Sequence, residues 1–213
     1  MSIASVLVNV TIATDILPLL AALYNYRRLD PVLKWIAAFC LAAALFDFAE
    51  LATSYFHVHN NYPLLHLYNL VAVLFFIVIY YKAFYETVFK KIALIVGIIA
   101  LAGVIGNSIF IESIWRYPSV SNTILCLFLI IMSLTYFYQL LTRQEFIHIE
   151  KQGLFWVNAG VLFYFSINVF LFMLFNKFSP DEQADLHMLQ SVTNIIANVL
   201  YSVGLLCQPQ KIT

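Results

Sequence analysis

Apolar residues in this chain fall in long unbroken runs, not in the alternating or three-and-four spacing of water-exposed elements. A helix needs about 20 apolar residues to cross a bilayer. Seven stretches reach that length: residues 3–23, 33–56, 64–84, 92–111, 120–141, 154–175 and 187–207. Helix breakers separate them, at Arg28-Leu29-Asp30-Pro31, Asn60-Asn61-Tyr62-Pro63, Arg116-Tyr117-Pro118 and Ser179-Pro180-Asp181. The connectors are short. The pattern therefore predicts an all-α membrane protein, one seven-transmembrane-helix bundle over residues 1–213, with no soluble output domain.

Composition agrees with that pattern. The chain is 63% hydrophobic and 10% charged, whereas soluble domains carry about a quarter charged residues. The lipid bilayer is thus its first expected partner. Net charge is zero, which gives no reason to expect nucleic acid. No basic stretch precedes the first run and no small-residue cleavage signal follows it, so that run is expected to be retained as a helix. Cys40, Cys126 and Cys207 all lie in apolar segments without a CxxC pair, and they read as packing thiols.

Charge asymmetry gives the expected orientation. Arg27, Arg28, Lys34, Lys82, Lys90, Lys91, Arg143, Lys151 and Lys211 fall on one side of a seven-helix arrangement, and Arg116 and Lys177 on the other. Basic residues collect in cytoplasmic loops. The N-terminus is therefore expected outside and the C-terminus in the cytoplasm, in the cell membrane (the inner membrane in a bacterium).

Against this background a few polar residues stand out. Asp47 and Glu50 sit three residues apart within the second run, with Ser54 on the same helical face. Ionisable groups in hydrocarbon are expensive and by default mark a working site with partners elsewhere in the bundle. The orientation puts both acids in the outer half. Asp15 with Pro18 in the first helix, His66 and Asn69 in the third, Asn168 in the sixth, and His187 and Asn194 in the seventh come at overlapping depths. The simplest arrangement turns all of them to one outward-opening cavity, rimmed by His57, His59 and the run Asp181-Glu182-x-x-Asp185. The structural alternative is that the asparagines only cross-link helices. The tyrosines and phenylalanines, including Tyr80, Tyr81, Tyr136 and Tyr138, read mainly as interface belts and lipid-facing bulk. In the bland fourth segment, Ala102 and Gly106 form a small-xxx-small pair that would admit another helix, within the chain or across a homodimer.

Three functions suit such a cavity. The first is receptor- or sensor-like binding of a small ligand, ion or proton, since carboxylates with Asn and His suit a cationic or hydroxyl-bearing guest. The stretches Tyr68 to Tyr81 and Asn194 to Tyr201 resemble seven-helix sensor proteins of bacteria. That resemblance implies a receptor-like module without an output domain, passing its signal to a partner.

The second is transport of a small solute. Trp35 and Asp47 are spaced like Trp156 and Asn168, and Asn69-Leu-Val-Ala resembles Asn194-Ile-Ile-Ala, as if segments 1–3 and 5–7 were parallel halves. The 3+1+3 sugar-transporter and PQ-loop group is similar in size and helix count, although Pro18 alone could match its helical proline motif.

The third is metal-dependent hydrolysis. Zinc would require His66, His187, Asp47 and Glu50 as ligands. Seven-helix ceramidases and progestin/adiponectin receptors resemble this outline, but they carry a second histidine where this chain has Ser191. No cofactor is expected. The last segment contains no lysine for retinal, and rhomboid-type proteolysis is not expected either.

Overall fold

The computed structural model describes residues 3–58, 60–142 and 149–207. His59, Arg143, Lys211 and the side chain of Asp181 lie outside this description. The described residues form seven α-helices and no strand: α1 (Ile3–Asn25), α2 (Pro31–Tyr55), α3 (Tyr62–Ala83), α4 (Thr87–Phe110), α5 (Ser119–Leu141), α6 (Gly153–Leu174) and α7 (Pro180–Leu206). Six of them, α2 to α7, are long and apolar enough to cross a membrane. The seventh, α1, has 23 residues, a length of about 35 Å.

Local chemistry sets the helix ends. Asp30 accepts hydrogen bonds from the Val32 and Leu33 amides, both 2.8 Å, with Pro31 opening α2. At the far end of α2, His57 adopts φ 54°. There the His57 and Val58 amides return to the carbonyls of Ser54 and Thr53, the hydrogen-bond pattern of a Schellman cap. Glu112 accepts from the Val120 amide and from Asn107 Nδ2, tying the α4–α5 connection together. α7 begins about two turns before its apolar run, because Pro180 opens it and Ser179 is closed on Glu182.

The helices stand in a ring in chain order, each on its neighbours, and α1 closes the ring against α7. α3 also meets α5, and α2 meets α6, across the middle. Two ends result: an N-terminal end, where α1 and α7 start, and a C-terminal end, where both finish. At the C-terminal end Asn25 Nδ2 donates to the Leu205 and Cys207 carbonyls at 3.0 and 3.3 Å. The half of the bundle near that end is tightly closed. A Cβ on Gly204 would lie 2.6 Å from the Gly153 carbonyl oxygen, so α6 and α7 touch backbone to backbone. Tyr80, Ser133 and Asn158 join α3, α5 and α6 through two 2.8 Å hydrogen bonds. Outward faces are apolar, with Leu45, Phe48, Ile99, Ile109 and Phe170 all exposed, a surface suited to lipid rather than water.

Two sequence expectations change here. Tyr81 and Tyr138 are exposed, as a belt requires, but Tyr80 and Tyr136 are buried in the core. In α4 it is Gly97 and Gly103 that meet neighbouring helices, at Ile77 and Ile124, whereas a Cβ on Gly106 would have nothing within 4 Å. Ala102 and Gly106 thus do not serve packing within the chain. The residues paired by the repeat also have unlike surroundings. Asn69 donates to Asn122, whereas Asn194 donates to Asp15.

Candidate functional site

Toward the N-terminal end the ring encloses a cavity of about 220 Å³. α7 lines it with Gln190, Asn194, Asn198 and Tyr201, one helical face at spacings of three and four. α2 brings Phe39, Cys40, Ala43, Phe46, Asp47 and Glu50, again one face. α1 adds Asp15 and Pro18, α3 adds Leu64, Leu65 and Tyr68, and α6 adds Tyr164 and Phe165. A more open space of about 430 Å³ adjoins it and shares Asp15, Asp47, Glu50, Gln190 and Asn194, adding Thr11, Ser54, Asn61 and Ser191. The three carboxylates therefore stand where the inner cavity meets its mouth.

Each carboxylate is held differently. Asp15 accepts from Asn198 Nδ2 at 2.6 Å and from Asn194 Nδ2 at 3.0 Å, so two turns of α7 grip one acid of α1. Glu50 accepts from Asn61 Nδ2 at 2.9 Å, from the start of α3, and His187 lies in its neighbourhood. Asp47 has no hydrogen-bond donor among the described residues. None of the three has a basic partner within ion-pair distance among those residues. Gln190 Nε2 donates to the Tyr164 hydroxyl at 3.4 Å, and the hydroxyls of Tyr68 and Tyr201 have no partner among the described residues.

Of the residues singled out by sequence, the structure brings together Asp15, Asp47, Glu50 and Asn194. His187 stands near the mouth, exposed, its ring edge-on to Phe175 with centroids 5.3 Å apart. His66, Asn69 and Asn168 do not line the cavity. His66 is 7% exposed and bonds through Nδ1 to Ser108 Oγ at 3.0 Å and through Nε2 to the Arg116 carbonyl at 3.2 Å. Asn69 Nδ2 reaches Asn122 Oδ1 at 2.6 Å on α5. Asn168 Nδ2 bonds Thr193 Oγ1 at 2.8 Å. These three cross-link helices, as polar residues between membrane helices commonly do. His66, His187, Asp47 and Glu50 accordingly form no common ligand set, and no group of three His, Cys, Asp or Glu among the described residues is placed to hold a metal ion.

Helices α1, α2, α3, α6 and α7 line the cavity, α3 and α6 through residues other than His66, Asn69 and Asn168. His66 and Asn69 lie on the face of α3 turned to α4 and α5, and Tyr68 on the face turned inward. On α6 the cavity sees Tyr164 and Phe165 rather than Asn168. Tyr68, Tyr164 and Tyr201 are inside the bundle, not in a belt. The four-residue ladder Gln190-Asn194-Asn198, continued by Tyr201, was the available signal for the α7 wall.

Outside the helical spans, burial pushes the Tyr117 hydroxyl above the ordinary tyrosine range, with Asn122 Nδ2 donating to it at 3.0 Å. Tyr117 stacks on Phe175 at 4.0 Å and fixes the α4–α5 connection against α6.

Comparison with protein-family models, with curated proteins and with solved structures gave no match to this chain. The functional reading therefore rests on the cavity.

Proposed function

We propose that this chain is a seven-span membrane protein, N-terminus outside and C-terminus in the cytoplasm, that binds a small guest in a polar cavity open to the outside and works as a receptor or sensor. The observation that carries the reading is the set of three carboxylates, Asp15, Asp47 and Glu50, opening on one cavity with no basic partner within ion-pair distance among the described residues. In a low-dielectric setting, uncompensated carboxylates favour a cationic guest, a hydroxyl-bearing guest or a proton. Orientation is supported by the basic residues of the C-terminal end, where Lys34 lies over the Tyr26 ring at 5.6 Å and Lys90 over Tyr81 at 5.9 Å. The closed C-terminal half, with its Gly153–Gly204 contact and Tyr80 network, supports access from one side. A second copy or a separate signalling partner would carry the output.

Transport is the second reading, favoured by Pro18. It lies inside α1 beside Asp15 at the cavity wall and withholds one backbone N–H from the helix, and weakened helices at a polar site are a transporter device.

Reconstituted protein separates the two. The receptor reading expects guest-dependent stabilisation that Asp47→Asn and Asn194→Ala both weaken, without solute flux into proteoliposomes. Saturable uptake abolished by Asp47→Asn would overturn it in favour of transport. If both variants bind like the unmodified chain, the cavity is not the site.

A further inference from the structure

We infer that the guest is a small organic ammonium ion carrying at least one N–H, a monocation paired with Asp47, whose hydrocarbon body lies against the aromatic wall. This rests on the cavity reading above and narrows it to a ligand class.

The donor and acceptor inventory of the wall carries the argument. A carboxylate accepts only, so the contacts to Asp15 turn the amide nitrogens of Asn194 and Asn198 toward the acid and leave their oxygens over. Neither oxygen has a partner among the described residues. Asn198 is 6% exposed and lines the cavity, so its oxygen opens nowhere else. Gln190 likewise spends its nitrogen on Tyr164. What the wall offers is therefore a group of acceptors around Asp47, and an acceptor left without a donor once a guest fills the cavity is unfavourable. The guest must bring N–H or O–H donors.

Charge decides between these. Asp15 holds two amide donors and Glu50 holds Asn61 with His187 nearby, but Asp47 is left alone. One positive charge beside Asp47 completes the set.

An inorganic cation fits poorly. Such ions draw six or more oxygens to about 2.0–2.6 Å, and no three acidic, histidine or cysteine side chains among the described residues are gathered in that way. The remaining wall is aromatic, with Phe39, Phe46, Tyr68, Phe165 and Tyr201, which suits hydrocarbon and the cationic carbon next to nitrogen. At about 220 Å³ the cavity is smaller than the usual drug-sized pocket of about 300–1,000 Å³, so the body is short. A quaternary ammonium ion would leave the acceptors unmet.

The test uses the full chain in lipid nanodiscs and follows its thermal unfolding at constant pH and ionic strength. The probes are primary ammonium ions from methyl- to 2-phenylethylammonium, each with its alcohol and trimethylammonium counterparts, and sodium chloride. At least one primary ammonium ion should raise the midpoint saturably, by about 5 °C at a hundredfold excess over its Kd. Its alcohol and trimethylammonium counterparts should bind at least tenfold more weakly. Asp47→Asn, and Asp47→Ser as a second variant, should weaken the response at least tenfold.

The ammonium assignment is overturned if no primary ammonium ion acts, or if the alcohol or quaternary counterpart matches it. Should sodium or protons alone stabilise the chain through Asp47, the cation-binding cavity stands and the ammonium assignment falls. When Asp47→Asn changes the response to none of these cations, both fall.

Discussion

Asn198 on α7 donates to Asp15 on α1 at 2.6 Å, and Asn194, one turn earlier, donates to the same oxygen at 3.0 Å. This contact joins the first helix to the last within the ring. It also orders the cavity wall, because the acid that receives both nitrogens decides which way the two amides face. Hydrogen bonds to charged groups contribute about 1.5–3 kcal/mol in soluble proteins, and polar contacts between membrane helices average about 0.6 kcal/mol. Asn198→Leu should cost about 1 kcal/mol in unfolding free energy. In a double-mutant cycle with Asp15→Asn, the coupling should be of the same size and positive. Additivity of the two substitutions would show that the contact is not formed in the bilayer.

Asp47 predicts the opposite balance. It makes no hydrogen bond among the described residues yet sits at the junction of both cavities. Removing its charge takes away a desolvation cost and breaks no internal contact. Asp47→Asn should leave the unliganded chain equally stable or up to about 1 kcal/mol more stable, while guest binding is lost, the usual trade between stability and function. Thermal unfolding with and without guest checks both halves. A loss of about 2 kcal/mol or more in the unliganded variant would mean that Asp47 is a structural residue.

The glycines separate packed from open positions. A Cβ on Gly204 meets the Gly153 oxygen at 2.6 Å and Val157 Cγ2 at 2.7 Å, and neither backbone can yield without moving α6 from α7. Gly204→Ala should cost about 2 kcal/mol or more. Gly106→Ala meets nothing and should be neutral or stabilising by about 0.5–1 kcal/mol. Gly160 lies between these cases. A Cβ there would lie 2.7 Å from Tyr201 Cε1, so Gly160→Ala should push the Tyr201 ring toward the cavity and weaken binding by more than it lowers the unfolding midpoint. Equal effects of all three substitutions on the midpoint would contradict the packing.

Much of this fold was legible as sequence, and the reason is length. Apolar runs of bilayer size leave few alternatives to helices, and Pro31, Pro63, Pro118 and Pro180 punctuate them, so the helices fall close to their expected limits except at the starts of α4 and α7, which come five and seven residues early. The site was half legible. Asp15, Asp47, Glu50 and Asn194 were visible because charge and amide groups are rare at that depth. His66, Asn69 and Asn168 looked equivalent, but depth along a helix does not say which neighbour a side chain faces. The small difference in azimuth between Asn69 and Tyr68 sends one to Asn122 and the other into the cavity. Aromatic residues gave the weakest signal. A tyrosine at an interface and one lining a cavity have the same composition and differ only in what stands opposite them.

The start of α7 makes a prediction about pH. The Ser179 amide and hydroxyl donate to Glu182 Oε2 at 2.8 and 2.7 Å and hold this exposed carboxyl below the usual glutamate range. A group whose folded pKa is depressed adds stability above its unfolded value and loses it as pH falls through the folded one. Glu ordinarily titrates near about 4.3, so the first turn of α7 should be held fully at neutral pH and should loosen from about pH 5 downward. Glu182 is exposed, so the effect stays local to that turn. Hydrogen exchange of residues 180–186 should quicken, beyond the intrinsic pH dependence of exchange, as pH is lowered through that window. Glu182→Gln should exchange at a rate independent of that titration, while the α7 amides beside Asn194 and Asn198 stay protected throughout. If the first turn of the unmodified chain showed no such acid-dependent loosening, the Ser179–Glu182 contact would not be what starts α7 ahead of its apolar run.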